Sequence, residues 1–225
     1  MRQIFLFHQG REKRLLLFAG VIAISVLLQC FIVRPSNAAG TMIGTVLTLH
    51  KTVSVARRGR SLPLRQGDQV FRGDRIETGT AARLEIGFID ETRLYLGERT
   101  RVDLDDFDIA PASRSGKLFF DILNGAFRLV TGRIGKADRA DVVVRTPFAH
   151  IGVRGTDFFA GPALGQYGVL LLKGEIEVFN TAGRRRLTGE GTGVNLIAED
   201  VPPSPVVPWG AARAQAALAS VQPQP

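Results

Sequence analysis

Polar side chains that could do chemistry cluster between Thr146 and Phe158, in the stretch TPFAHIGVRGTDF. A histidine such as His150 suits acid–base work, and the fork of Arg154 suits the binding of a carboxylate. On this interpretation the stretch is a catalytic or ligand-binding site. Such a site needs a second reactive group at suitable spacing, and His150 stands near no second His, Cys or carboxylate pair.

The same residue types also describe the end of one strand and a bulge in the next. Pro147 removes a backbone donor and holds Thr146 in an extended conformation, so it ends the strand DVVVRTP. Gly152 and Gly155 allow a close backbone approach or a positive φ, which predicts a bulge or a crossover between sheet layers. Substitution of Gly155 by valine is therefore predicted to cause misfolding, because a β-branched residue does not adopt a positive φ.

The remaining polar residues of the stretch have local partners in this interpretation. Arg154 lies at the turn and binds carbonyls or pairs with Asp157, while Thr156 and Asp157 bond back to neighbouring amides. In the functional version, Arg154 is a recognition point on a loop carried by a rigid sheet. We interpret this motif as mainly structural and also as a candidate recognition loop. Its residues are Thr146, Pro147, Gly152, Arg154, Gly155, Thr156 and Asp157.

Known catalytic and metal-binding motifs are absent from the rest of the sequence. Beyond the N-terminal segment the only histidines are His50 and His150, and neither is at ligand spacing from another metal-binding residue. The sequence has neither a nucleophile elbow nor a phosphate-binding glycine loop. The acidic stretch VDLDDFDI lacks the glycine and terminal Glu of a helical calcium loop, so it is predicted to line a solvated strand. We therefore predict no enzyme activity, no cofactor and no metal.

Short apolar alternations punctuated by glycine continue from residue 40 to residue 197, a pattern typical of many short strands. In ARLEIGFID, one strand face is predicted to be buried and the other solvated. The sequence predicts a single compact all-β domain over 40–197, mostly antiparallel and arranged as a β-roll, a sandwich or a short solenoid. Gly67 and Gly73, each followed by Asp, predict two successive turns, and Asp90-Glu91-Thr92 predicts a reversal in which Glu91 avoids a positive φ.

The N-terminus has the features of an export segment. Nineteen uncharged residues, Leu15 to Val33, follow a basic flank and precede the small residues Ser36 and Ala38. Residues 1–38 are predicted to be a signal peptide cleaved after Ala38 or, because the apolar run is long, an N-terminal membrane anchor. In either case the body lies in the periplasm or is exported, and it meets the membrane only through an uncleaved segment anchored in the inner membrane.

The charge distribution is consistent with export and argues against a nucleic-acid partner. Half of the formal net charge of +8 belongs to residues before Ala39, where it orients a membrane segment. No basic helix and no alternation of aromatic and basic residues is present, so no nucleic-acid binding is predicted. The single cysteine, Cys30, lies in the apolar segment, so the exported body depends on its apolar core rather than on disulfides.

The composition changes after Ile197. Four prolines between Val201 and Trp209 interrupt the strand pattern and predict an extended linker, so residues 198–225 are interpreted as a Pro- and Ala-rich tail. Trp209 to Ser220 predicts a short helix that is marginal alone, so it either docks on another surface, with Trp209 and Leu218 as candidate anchors, or frays.

Several stretches resemble the FecR domain family, in that family's order, between Gly40 and Gly193. They are GDRIETGTAARLEIGFIDETRLYLGERTRVDL, NGAFRLVTGRI, VRTPFAHIGVRGTDF and VLLLKGEIEVFN. Glu91 stands where the family commonly has glycine, which leaves the geometry of that turn open. The resemblance implies an exported all-β module. Its best-known members are membrane-spanning regulators that receive a signal from an outer-membrane siderophore transporter and control a sigma factor through a cytoplasmic region.

The chain departs from that plan, because only about 14 residues precede the apolar segment, too few to hold a sigma factor, and no α/β module follows Ile197. The sequence therefore predicts a stand-alone module that binds or scaffolds an envelope partner, an unidentified protein or glycan, without chemistry. One alternative is an accessory of cell-surface signalling, in iron or sigma-factor regulation, whose transmitter is on another chain. Another is an envelope hydrolase that uses His150 or a carboxylate pair near Arg154.

Overall fold

A computed structural model of the chain describes residues 40–110, 115–133 and 139–222. The apolar segment predicted as a signal or an anchor lies outside these residues. Among the described helices, none is long and apolar enough to span a membrane.

Apolar alternation forms strands along most of the described chain. The strands are β1 (Met42–His50), β2 (Val53–Arg57), β3 (Arg60–Pro63), β4 (Gln69–Phe71), β5 (Arg75–Thr78), β6 (Arg83–Phe88), β7 (Arg93–Leu96), β8 (Arg101–Ala110), β9 (Ser115–Asn124), β10 (Phe127–Val130), β11 (Arg139–Arg145), β12 (His150–Ala163), β13 (Gln166–Asn180), β14 (Gly183–Leu187), β15 (Thr192–Asn195) and β16 (Val207–Pro208). One helix, α1 (Ala211–Val221), follows in the tail. The predicted all-β class with a short helix in the tail is confirmed.

The described strands belong to one sheet, in the order β3-β2-β5-β8-β9-β11-β12-β10-β7-β6-β1-β4. Beside this path, β13 pairs with β12, β14 and β15, and β16 pairs with β15. The described pairs are antiparallel apart from β9 and β11, which run parallel. The sheet is therefore mixed and mostly antiparallel, as the alternating pattern predicted.

The sheet curls until strands that are distant in its order pack together. Phe88 of β6 and Phe120 of β9 have ring centroids 5.2 Å apart. The two ends of the order also meet, because Arg57 on β2 donates to the carbonyl of Gln69 on β4 at 3.1 Å and lies 4.3 Å from the ring centroid of Phe71. Of the arrangements that the sequence left open, the structure adopts the β-roll.

An ion pair between the partly exposed Arg57 and the buried carboxylate of Asp74 joins the seam between these two ends. Asp74 has a side chain only 1% exposed, and it accepts two hydrogen bonds of 2.7 Å from Arg57. Its carboxylate also accepts the backbone N–H of Phe71 at 2.8 Å. Because an unpaired buried carboxylate is costly, this arrangement holds Arg57 across the seam.

The two Gly-Asp pairs form the turns predicted from them. Gly67 and Gly73 have φ of 87° and 82°, in the left-handed region that favours glycine. In each turn the Asp carboxylate accepts the N–H of the residue three positions earlier, at 2.8 Å. The adhesion-like RGD tripeptide formed around Gly73 is thus explained by turn chemistry.

The reversal between β6 and β7 corrects one prediction. Glu91 adopts a φ of 72°, whereas its residue type predicts that it avoids a positive value. The buried carboxylate of Asp90 fixes the loop, since it accepts the N–H of Thr92 at 3.0 Å and its hydroxyl at 2.7 Å. With Asp90 held in this way, the left-handed residue falls at Glu91, the position where the resemblance places glycine.

The outer face of the sheet is covered more fully than strand alternation predicted. On β6, Glu85 is buried because Arg93 pairs with it at 2.7 Å. Elsewhere the tail covers the sheet. Trp209 is only 9% exposed, and its ring packs so closely on Gly168 that a Cβ added there would lie 2.7 Å from the ring. The helix α1 packs on β12 and β10.

Of the two anchors predicted for the tail, the structure confirms Trp209 but not Leu218. Trp209 is an anchor as expected, but Ala217 and Val221 are the buried residues of α1, and Leu218 is half-buried. Residues four apart share one helix face, so Ala217 and Val221 approach the sheet together. They pack beside Phe159 and Leu170 in an apolar cluster separate from the main core.

Candidate functional site

Thr146 builds the turn between β11 and β12. Its hydroxyl donates to the carbonyl of Ala149 at 2.8 Å and accepts the N–H of Ala149 at 3.1 Å. The side chain is buried, whereas Pro147 is exposed at the tip of the turn. Because β11 ends at Arg145, the strand end predicted from Pro147 is confirmed.

Gly155 lies at a bulge within β12. Its φ is 62°, and two residues, Gly155 and Thr156, lie between the pairs Arg154–Glu175 and Asp157–Lys173. The extra residue changes which positions face the core, from Ile151 and Val153 before the bulge to Phe158 and Ala160 after it. The predicted bulge is confirmed.

The strand remains paired within one curled sheet through the bulge. Only its partner changes along one edge. β12 pairs with β11 from His150 to Gly152 and with β10 from Asp157 to Ala160. The bulge therefore lies between the part of β12 that pairs with β11 and the part that pairs with β10.

Gly152 has neither the positive φ nor the close backbone approach predicted for it. It is absent from the described residues with positive φ, and an added Cβ would lie 3.9 Å from its nearest neighbours, Glu177 and Phe179. A side chain at this position therefore fits. Only Gly155 of the two motif glycines meets a conformational need.

Asp157 pairs with Arg128 of β10, and not with Arg154 as predicted. Two hydrogen bonds of 2.8 and 2.7 Å join the side chains, and the bond to Asp157 raises the pKa of the Arg128 guanidinium. Arg154 is exposed, and its side chain has no hydrogen bond or ion pair with the described residues. The pairing follows from β10 lying beside β12 after the bulge, which brings diagonal cross-strand residues within reach.

Thr156 also bonds across the sheet rather than locally. Its N–H donates to the hydroxyl of Thr131 at 2.7 Å, and its carbonyl accepts the N–H of Thr131 at 2.9 Å. The hydroxyl of Thr156 is buried without a partner among the described residues. The prediction that Thr156 and Asp157 bond back to neighbouring amides is thus wrong.

A double-mutant cycle tests the partner of Asp157. Asp157→Asn combined with Arg128→Met is expected to show a coupling of about 1 kcal/mol, because the pair is bidentate but partly solvated. Asp157→Asn combined with Arg154→Met is expected to show none. Urea unfolding of the single and double variants measures both couplings. A coupling to Arg154 as large as that to Arg128 would contradict the pairing.

A cleft of about 590 Å³ opens beside the turn that Thr146 builds. We call it the turn cleft. Its floor is one row across four neighbouring strands, in which Asp121, Arg145, His150 and Phe179 are successive cross-strand partners. The remaining lining residues come mainly from the surrounding loops and are Ile122, Leu123, Thr146, Pro147, Ala149, Asn180, Thr181 and Glu199.

Asn180 ties the loops around the turn cleft together. Its amide donates to the carbonyls of Phe148 at 3.3 Å, Ala198 at 3.3 Å and Val201 at 2.7 Å. Its side-chain oxygen accepts the N–H groups of the two residues that follow Thr181, where β14 begins, both at 3.1 Å. The walls of the turn cleft are therefore fixed before any partner arrives.

The side chains in the turn cleft combine rings with charged groups. Arg145 pairs with Asp121 at 3.1 Å and lies 4.9 Å from the ring centroid of Phe119. The rings of His150 and Phe179 meet edge to face, with centroids 5.4 Å apart. Glu199 is exposed, and its carboxylate has no partner among the described residues.

The structure divides the predicted motif into two parts. Thr146 and Pro147 line the turn cleft with His150, whereas Gly155 shapes the strand and Arg154 is not among the residues that line the turn cleft. Sequence reasoning missed Asp121, Phe179, Asn180 and Glu199 as lining residues. No local signal marks them, because the partners of Asn180 lie 18 to 32 residues away along the chain.

Within the described ranges, no group of three or more His, Cys, Asp or Glu side chains could hold a metal ion. The side chains that the turn cleft offers are suited to contacts with rings, hydroxyls and amides.

Comparison with known proteins identifies one family. Residues 74–177 match the family model of FecR protein. Two crystal structures of a proposed anti-sigma factor from Parabacteroides distasonis are similar at 15% identity, with TM-scores of 0.46 and 0.45, over 59% of this chain and 57% of that chain. A cell surface anchoring domain is 31% identical over 28% of this chain and 86% of its own length, with a TM-score of 0.28. No curated protein matches the chain.

Proposed function

Because residues 74–177 form a FecR domain, we propose that this chain is an exported, non-enzymatic module that binds an envelope partner through the turn cleft. FecR proteins are regulators of the cell surface, so the domain supports a signalling or envelope-associated role. The N-terminal segment, residues 1–38, delivers the body to the periplasm and is removed or kept as an inner-membrane anchor. N-terminal sequencing of the mature protein distinguishes these two fates.

The fixed walls of the turn cleft are the observation that carries the binding role. Asn180 and Thr146 hold three loops in place through hydrogen bonds that need no partner. A partner that binds such a surface loses little free energy in ordering it. The loops are also exposed, and loops on a rigid sheet are where proteins commonly carry recognition.

Site-specific photo-crosslinking tests this role in intact cells. A photoreactive residue at Thr181, in the turn cleft, is expected to give an adduct with an envelope component. The matched control carries the same residue at Arg154, exposed on β12 outside the turn cleft, and is expected to give no such adduct. Absence of an adduct at Thr181, or equal adducts at both positions, contradicts the proposal.

A second candidate function is an accessory of cell-surface signalling whose transmitter is on another chain. The FecR domain favours it, because the best-known members of the family act between a transporter and a sigma factor. A strain that lacks the protein is then expected to show altered transcription of sigma-factor-dependent transport genes. Unchanged transcription under iron limitation would rule out this role and leave the binding role in place.

A further inference from the structure

We propose that the ligand of the turn cleft is a neutral oligosaccharide. The inference rests on the proposed function, because it names the chemical class of the envelope partner. It depends on three properties of the turn cleft: its rings, its spare hydrogen-bonding groups and its charge.

The rings offer an apolar surface of the kind that sugars bind. His150 and Phe179 are both half-buried, so part of each ring faces the turn cleft. The face of an aromatic ring carries partial negative charge. The C–H groups on one side of a pyranose carry partial positive charge and pack against such a face. Gly152, next to both rings in the sheet, adds no side chain that would cover them.

The polar groups of the turn cleft have capacity left for hydroxyls. Arg145 has five N–H donors, and the bond to Asp121 uses one of them. The carboxylate of Asp121 has further acceptor sites, and Glu199 has all of its own. Neighbouring hydroxyls of a sugar both donate and accept, so they match this mixture of charged donors and acceptors.

The charge of the turn cleft argues against a polyanion. Arg145 is neutralised by Asp121, which leaves the carboxylate of Glu199 as the charge without a described partner. A phosphate-rich or acidic polymer would be repelled by that carboxylate. A neutral ligand makes the same contacts without this cost.

The dimensions of the turn cleft agree with a ligand of a few sugar units. Its volume of about 590 Å³ lies within the range of about 300–1,000 Å³ found for ligand pockets. The loops that border it are fixed by Asn180, so binding needs no rearrangement. An open cleft on a sheet also lets a longer chain continue beyond its ends.

Titration of the full chain with defined trisaccharides tests the inference. Chitotriose and maltotriose are the probes, and a zwitterionic detergent without a sugar headgroup keeps the full chain soluble. At least one trisaccharide is expected to bind saturably, with little dependence on salt because no ion pair forms with the ligand. Trilysine, a cationic peptide that Glu199 would attract, serves as the competing ligand class.

Three variants locate the binding. His150→Ala is expected to weaken trisaccharide binding about tenfold, the usual size of an aromatic contact. Glu199→Gln changes an exposed side chain without threatening the fold and is expected to weaken binding severalfold. Arg154→Ala, on the same strand as His150 but outside the turn cleft, is expected to leave binding unchanged.

Several results would overturn the inference. They are binding of neither trisaccharide, salt-sensitive binding of trilysine alone, and trisaccharide binding that Glu199→Gln and His150→Ala leave intact. The crosslinking experiment separates these failures from failure of the proposed function. If Thr181 gives an adduct but no trisaccharide binds, the sugar assignment is wrong and the binding role stands.

Discussion

Replacement of Arg57 by methionine is expected to destabilise the protein by about 3 kcal/mol, the lower end of the cost of breaking a buried ion pair. Two of the three hydrogen bonds to the carboxylate of Asp74 would be lost, and that side chain is 1% exposed. The hydrogen bond to Asp74 also raises the pKa of the Arg57 guanidinium, because it favours the charged form. Urea unfolding measures the loss.

The matched control is Arg75→Met. Arg75 also forms two hydrogen bonds with an aspartate, but the side chain of that residue, Asp103, is 16% exposed where Asp74 is 1% exposed, so the loss of Arg75 is expected to cost much less than the loss of Arg57. The double variant Arg57→Met with Asp74→Asn also removes the buried carboxylate that Arg57→Met leaves without a charged partner. It is expected to be more stable than Arg57→Met alone. Equal losses for Arg57→Met and Arg75→Met would show that the seam of the roll does not depend on the buried pair.

Valine at Gly155 is expected to destabilise the protein by about 2–3 kcal/mol, the cost of a strained backbone conformation. Gly155 has a φ of 62°, and the bulge at this position sets which residues of β12 face the core. Other described residues with positive φ include Glu91 and Leu164, but none of those described is β-branched. Thermal or urea unfolding and the yield of folded protein measure the effect.

Gly152→Val is the matched control, because the same substitution is made in the same strand and motif. The position has no positive φ and has room for a Cβ, and valine favours extended strands. A change within about 0.5 kcal/mol is expected, as for a surface substitution. If Gly155→Val were as stable as Gly152→Val, the bulge would not require glycine.

Local chemistry made much of the fold predictable from the sequence. Apolar alternation predicted the strands, the Gly-Asp pairs at Gly67 and Gly73 predicted two turns, and Pro147 predicted a strand end. Each of these signals acts within a few residues, since side-chain alternation, a left-handed φ and a missing N–H are properties of the local backbone. The need for glycine at Gly155, but not its place in a continuous strand, was predictable for the same reason.

Predictions failed where the hydrogen-bond partner of a residue was not recognised from the sequence. Asp157, the carboxylate nearest to Arg154 in the sequence, was one candidate partner of Arg154, but β10 brings Arg128 to it. Glu91 was expected to avoid a positive φ, but the hydrogen bonds of Asp90 to Thr92 fix the loop around it. For Asp157 the order of the strands decided which groups meet, whereas at Glu91 the local hydrogen bonds that Thr92 donates to Asp90 decided the turn.

The sequence by itself determined the all-β class, the turns and the position of the Thr146 motif, because these depend on residues close together in the chain. Only the tertiary structure decided that the sheet rolls up, that Arg57 and Asp74 close its seam, and that a cleft lined by His150 and Phe179 forms beside the motif. The physical reason is sequence separation. A cleft is made by strand order and register, which bring together side chains whose local patterns carry no record of one another.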